Sequence, residues 1–389
     1  MDRLLIKDVL HEGRTRNILI EDRRFKDLDA PAEVADAQLL DAKGMAILPA
    51  LYNTHAHAAM TLLRGYADDM PLQSWLTDYI WPFEAKLTPA DIRHGSEIAV
   101  REMLESGSVF FNDMYFDIEE TIDVVDKAGM RAAIGITVME NHSKAVEEEK
   151  KEFVRQWHDP SGGRIQLVMA PHAIYTVGER KLRECAEFAR ENGMLLHIHV
   201  SETRPEVDNC LKDHGTTPVR YLDSLGFLGP DVIAAHCVHV DDEEADILAE
   251  RGVTVSHCPC SNMKLGSGVF PYKRLMKAGC RITLGTDGAS SGNNLDLREA
   301  MKFAALQAKA GGDPELLPDG EVLRWATQAG AEAFGLAAGA VAPGALADAL
   351  LIDLSDIRMQ PCHCLVSNFV YAADTRCIKH VLCDGRIVV

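Results

Sequence analysis

No apolar run in this chain is long enough to cross a bilayer, and its first residues, Met1 to Asp8, lack the apolar core and small-residue cleavage site of an export signal. The expectation is a protein of the cytoplasm. Cations are in short supply as well: 40 Lys and Arg stand against 59 Asp and Glu, a formal net charge of -19. Such a balance argues against a nucleic-acid backbone or an anionic membrane as partner and favours small molecules. No Gly-rich phosphate loop and no HExxH helix occurs. The ten cysteines never adopt paired CxxC spacing. Cys258-Pro259-Cys260 and Cys362-His363-Cys364 are therefore read as reduced packing thiols rather than structural zinc ligands.

What is present is a large core with a regular rhythm. The 389 residues are 47% hydrophobic and 25% charged, the composition of a globular chain of one large domain or two. Short apolar runs lie near 48–54, 108–113, 131–138, 165–171, 194–200, 232–236, 253–257 and 281–287, separated by segments of helical periodicity such as Ile92 to Leu104. Eight strands alternating with helices predict a (β/α)8 barrel over residues 48–337, with its chemistry at the C-terminal strand ends. The flanks, 1–47 and 338–389, read as short strands and turns, most clearly at 347–353 and 377–389. Neither flank has enough apolar surface alone, so the two are predicted to pair into one small β-sandwich.

Polar residues at the ends of these runs carry the functional signal. His55 and His57 close the run Leu48 to His57, and on a strand positions i and i+2 share a face, so two imidazoles can grip one ion. His199, His236 and Asp287 end three later runs. Together they make a metal shell of three histidines and a carboxylate, with one histidine to spare. His197 shares the face of His199 one layer deeper and is read as a supporting or packing residue; His239 and His257 are read as structural.

The motifs extend beyond these five. Arg64 to Leu72, Trp81-Pro82-Phe83-Glu84, His197 to Thr203, Ala235 to His239, Ser256 to Gly266 and Gly285-Thr286-Asp287-Gly288, with Leu48 to His57, span nearly the whole chain. In these segments the sequence resembles the metal-dependent hydrolases of the amidohydrolase superfamily, and more narrowly the 5'-methylthioadenosine/S-adenosylhomocysteine deaminases. The resemblance implies that Glu84 receives the ribose hydroxyls of a nucleoside and that His172 touches the substrate. A homo-oligomer is a further expectation at family level.

The residues support a mechanism of their own. His55, His57, His199 and Asp287 are expected to hold one divalent ion, most readily zinc, with iron or manganese as alternatives. Such an ion lowers the pKa of a bound water from about 15.7 to about 7. Glu202, three residues beyond His199, is the expected general acid toward a ring nitrogen; Asp287 takes the proton from water, and His236 orients the nucleophile or stabilises developing charge. Glu202 and Asp287 thereby also contact the substrate. Binuclear relatives carry a modified lysine at the end of the fourth strand; Leu167 to His172 contains none, so a single ion is predicted. The signature of nucleic-acid-editing zinc deaminases, HxE followed by PCxxC, is also missing.

The loop after the third strand, Thr137 to Lys151, contains no arginine. Arginines there would hold the carboxylate of S-adenosylhomocysteine. The expected substrates are therefore adenosine, 5'-deoxyadenosine and 5'-methylthioadenosine ahead of S-adenosylhomocysteine, which is retained as a fourth candidate, with release of ammonia and the inosine analogue. Two other readings remain at this stage: the same centre acting on a guanine, pterin, cytosine or triazine ring, and a scaffold that has lost catalysis. Trp75 and Trp81 either wall the pocket or simply pack.

Overall fold

The computed structural model describes residues 3–140, 152–154, 156–158 and 163–389. Five strands open the chain: β1 (Arg3–His11), β2 (Arg14–Glu21), β3 (Arg24–Asp27), β4 (Gln38–Asp41) and β5 (Met45–Pro49). The barrel strands follow as β6 (Leu51–His57), β7 (Ser108–Tyr115), β8 (Arg131–Val138), β9 (Ile165–Pro171), β10 (Leu195–Val200), β11 (Val232–His236), β12 (Thr254–His257) and β13 (Arg281–Leu284). Each pairs in parallel with the next, and a two-residue strand, β14 (Asp287–Gly288), returns the sheet to Ala56 and His57 of β6. The predicted barrel is thus present, closed by Asp287 itself. Runs such as Ser108–Tyr115 and Arg131–Val138 are buried throughout, as strands covered on both faces must be.

Helices fill the crossovers. Pro89–Glu105, predicted from the periodicity of 92–104, starts at a capping box in which Thr88 and Asp91 satisfy each other's backbone N–H. Gly285 shows why the last strand can approach the first: a Cβ there would lie 2.7 Å from that of His55. Any larger residue would push the two strand ends apart.

The termini meet as expected, with a refinement. Strands β15 (Ala349–Asp353), β16 (Ile378–Cys383) and β17 (Arg386–Ile387) join the first five in a single mixed sheet of order β17-β16-β15-β5-β1-β2-β3, with β4 paired to β1. Alternation along β15 and β16 serves two cores: Leu350, Ile352, Val381 and Cys383 face the barrel cluster, whereas Ala349, Leu351 and Leu382 join a smaller core with Ile6, Ile18 and Ile47. The apolar run from residue 45 is divided between the two units, because Pro49 ends β5 with no N–H to donate and β6 begins at Leu51. The hairpin at the C-terminus turns on Asp384 and Gly385, with φ of 54° and 74°, the two-residue turn that Asp-Gly favours.

All ten cysteines are free thiols, and neither the 258–260 nor the 362–364 pair joins a cluster of three metal-ligating groups among the described residues. No helix among them is long and apolar enough to cross a membrane.

Candidate metal centre and substrate crevice

The barrel mouth brings together the side chains that the sequence separates by up to 232 positions. His55 and His57, at the end of β6, lie with His199 of β10 in one group of mutually close ligand atoms; His55, His236 and Asp287 form an overlapping group. Asp287 Oδ1 stands 3.3 Å from His55 Nε2 and 3.1 Å from His57 Nε2, and His57 Nε2 stands 3.4 Å from His199 Nε2.

Each imidazole is oriented from behind. His57 Nδ1 donates to the Met114 carbonyl at 2.6 Å, and His199 Nδ1 to the His172 carbonyl at 2.7 Å. Backbone oxygens only accept, so both rings carry a proton on Nδ1 and turn Nε2 inward. His55 Nδ1 lies 2.8 Å from His197 Nε2, and His55 Nε2 is buried with no hydrogen-bond partner. A buried ring nitrogen left without a partner, where two other imidazole nitrogens and a carboxylate converge, is what a cation site requires. Electrostatics agree. Burial depresses His55 to about 4; it acts on His57 as well, but the Asp287 carboxylate outweighs it and lifts His57 to about 9. Burial opposes the charge on Asp287, yet both histidines pull its carboxyl well below the usual range. The pocket of carboxylate and imidazoles therefore attracts positive charge.

Asp287 is fixed on its other oxygen by two hydroxyls, Ser261 Oγ at 2.6 Å and Ser291 Oγ at 3.0 Å, both donating to Oδ2. His236 Nδ1 meets Asn262 Oδ1 at 2.8 Å, which leaves His236 Nε2 facing the crevice, 3.9 Å from Glu202 Oε2. Burial raises Glu202, and Ser267 Oγ approaches its Oε1 at 3.4 Å. His236 and Asp287 sit at positive φ of 73° and 61°, as does Ser201, the residue before Glu202, at 49°. Non-glycine residues in that region mark places where aiming a side chain has overridden local preference.

The crevice above the centre is walled by Trp75, Leu76, Trp81, Phe116, Met139 and Tyr175, among others. Trp75 and Trp81 do line it, and Trp75 Nε1 also donates to the Ala67 carbonyl. Glu84 and His172 face the same space. Burial raises Glu84, and Tyr115 donates its hydroxyl to Glu84 Oε1 at 2.7 Å, leaving Oε2 for a ligand. Burial, reinforced by the neighbouring His57 and His55, lowers His172 to about 3; Thr176 Oγ1 lies 2.8 Å from its Nδ1. His239 and His257 stand apart: His239 Nε2 bonds the Ser267 carbonyl, and His257 stacks on Phe270 and bonds Tyr272.

Tyr115, Ser261, Ser291 and Asn262 escaped the sequence reading. The two serines and the asparagine sit in or beside quoted motifs, but only the folded barrel shows which side chain each one meets. The absence of arginine from 141–151 lies outside the described residues; no Lys or Arg is among the described residues that line the crevice.

The sequence pattern of the amidohydrolase family matches residues 46–388. The chain belongs to this family. It is 43% identical over 389 residues to the 5'-deoxyadenosine deaminase of Methanothermobacter thermautotrophicus, covering 98% of this chain and 91% of that one. Identity with a 5-methylthioadenosine/S-adenosylhomocysteine deaminase of Pelotomaculum thermopropionicum is 45% over 354 residues, 90% of this chain and 82% of that one. Among solved structures, an adenosine deaminase from Xanthomonas campestris with bound zinc superposes with a TM-score of 0.93 at 32% identity, covering 99% of this chain and 92% of that one.

Proposed function

We propose that this member of the family is a hydrolytic deaminase of adenosine-type nucleosides with one divalent ion, zinc, held by His55, His57, His199 and Asp287. The observation that carries the reading is the convergence of three oriented imidazoles and Asp287 directly beneath a crevice that also presents Glu202, His236 and Glu84. When bound, the ion supplies Lewis acidity that makes water a competent nucleophile at neutral pH. The chain's own groups do the rest. Glu202, whose carboxyl pKa is raised by burial, delivers a proton to a purine ring nitrogen and so makes the amine-bearing carbon open to attack. Asp287 takes the proton from water and passes it to the departing ammonia, while His236 Nε2 orients the nucleophile. Glu84 accepts from the ribose hydroxyls, and His172 contacts the nucleoside. The catalytic unit is the barrel, which begins with β6 at Leu51 rather than at the predicted residue 48 and runs to about residue 337, with the two flanks packed together beneath it.

A crevice wall that presents Met139, Phe116 and Tyr175, with no Lys or Arg among the described residues, suits an uncharged 5' group. We therefore place adenosine, 5'-deoxyadenosine and 5'-methylthioadenosine ahead of S-adenosylhomocysteine. Ammonia release from these four, from guanine and from aminotriazines tests the reading on wild type, chelated protein and Glu202→Gln. Glu202→Gln is expected to keep about one equivalent of metal and lose about 10²- to 10⁴-fold in kcat. Faster release from guanine, or full activity after chelation, overturns it.

A further inference from the structure

Glu202 stands where the chain leaves β10 through Ser201, a serine held at φ 49°. That turn requires external support, since a side chain gains nothing from the left-handed region. Two successive N–H groups supply the attachment: Ser201 N donates to Glu206 Oε1 at 2.8 Å and Glu202 N to Glu206 Oε2 at 2.7 Å. The Ser201 carbonyl in turn accepts from the N–H of Val238 at 3.0 Å and of His239 at 2.9 Å, and the Val200 carbonyl accepts from Cys237 at 2.9 Å. Those donors belong to the turn that carries His236, where His236 and Cys237 have φ of 73° and 46°. The two turns bearing the groups that act on substrate are thus one backbone lattice, and a buried carboxylate clamps it from below.

The arrangement departs from ordinary helix capping. Thr203 caps the helix Arg204–His214, its Oγ1 accepting from Glu206 N. A glutamate three residues after a threonine cap normally returns to the N–H of the cap residue itself. Here both oxygens reach past it to the two preceding residues, filling an anion-binding nest with an internal group. A carboxylate can accept at both oxygens, whereas an amide would present an NH2 to one of the two N–H groups.

We propose that Glu206 is a positioning residue that aims the Glu202 carboxyl by clamping the Ser201–Glu202 peptide. The inference rests on Glu202 as the general acid. Glu206→Gln and Glu206→Ala, each made in the full metal-loaded chain, test it. The expected loss is about 10- to 100-fold in kcat, with KM within about threefold and metal content unchanged. Amide exchange across 200–203 is expected to quicken about tenfold or more. The double variant Glu202→Gln/Glu206→Gln should fall no further than Glu202→Gln alone, because a positioning group acts through what it positions. Wild-type kcat in Glu206→Gln, or additive losses in the double variant, overturns the proposal. Should Glu206→Ala fail to fold, Glu206→Gln and Glu206→Asp carry the comparison, with Glu206→Asp too short to span both amides and expected to behave like Glu206→Gln. If the wild type deaminates no nucleoside, the functional reading fails, and unchanged amide exchange in Glu206→Gln independently refutes the clamp.

Discussion

Truncating Asp348 to alanine asks how firmly the barrel is tied to the terminal sheet. The residue immediately precedes β15 and has no solvent exposure. Its Oδ2 accepts from the Tyr52 hydroxyl and from Arg131 Nε at 3.0 Å, and its Oδ1 accepts from the Asp384 N–H at 2.6 Å. Arg131 opens the third barrel strand with its side chain 1% exposed and gives a second donor to Asp384, which also takes Arg23 Nη1 at 3.0 Å. In Asp348→Ala three donors lose their acceptor, and a buried guanidinium keeps one carboxylate of two. Removing one partner from a buried pair costs about 3–5 kcal/mol, against a total stability of about 5–15 kcal/mol. The urea midpoint should fall by the equivalent of about 4 kcal/mol with an unchanged slope. The partner experiment is Arg131→Met/Asp348→Leu, in which both charges go and Asp384 keeps Arg23. If orphaned charge is the main cost, this double variant is more stable than Asp348→Ala by about 1 kcal/mol or more. A double variant no better than the single one, or a single loss below about 1 kcal/mol, refutes the argument.

Tyr115→Phe removes the donor to Glu84, and KM for ribosides should rise about tenfold with kcat nearly constant; 2',3'-dideoxyadenosine should show no such change, and an equal effect on both would sever Tyr115 from ribose recognition. Asp113 is buried, and desolvation raises its carboxyl from 3.8 to about 6 despite the Ala58 N–H that holds Oδ1 at 2.7 Å. A carboxyl raised on folding contributes stability below its unfolded pKa and loses it as pH rises through the folded one. In chelated protein, Asp113→Asn should therefore gain on wild type between about pH 4 and pH 6, by up to about 3 kcal/mol at pH 7. Melting curves that stay parallel across that range would contradict it.

The cluster was legible because its physics is local to each strand. Period two puts His55 and His57 on one face, and an apolar run ending in His199, His236 or Asp287 states both strand and strand end. The eightfold alternation then fixes where those ends meet. Helpers are another matter: Tyr115 serves Glu84 across 31 positions and Ser261 serves Asp287 across 26, and no spacing rule links such pairs. Glu206 was not singled out from the sequence, and its reach to Ser201 depends on a left-handed turn that sequence does not announce. The division at Pro49 was hidden for a simpler reason, since one continuous apolar run feeds two sheets.

The seam of the barrel is two residue pairs long, Asp287 with Ala56 and Gly288 with His57. Two of the proposed ion's ligands, Asp287 and His57, therefore belong to the very stitches that complete the ring. No cation can find its full set of donors until chain ends more than two hundred positions apart have docked, so loading reports that assembly is finished. In return, the ion would rivet this short join in the cylinder, and its loss should loosen that join.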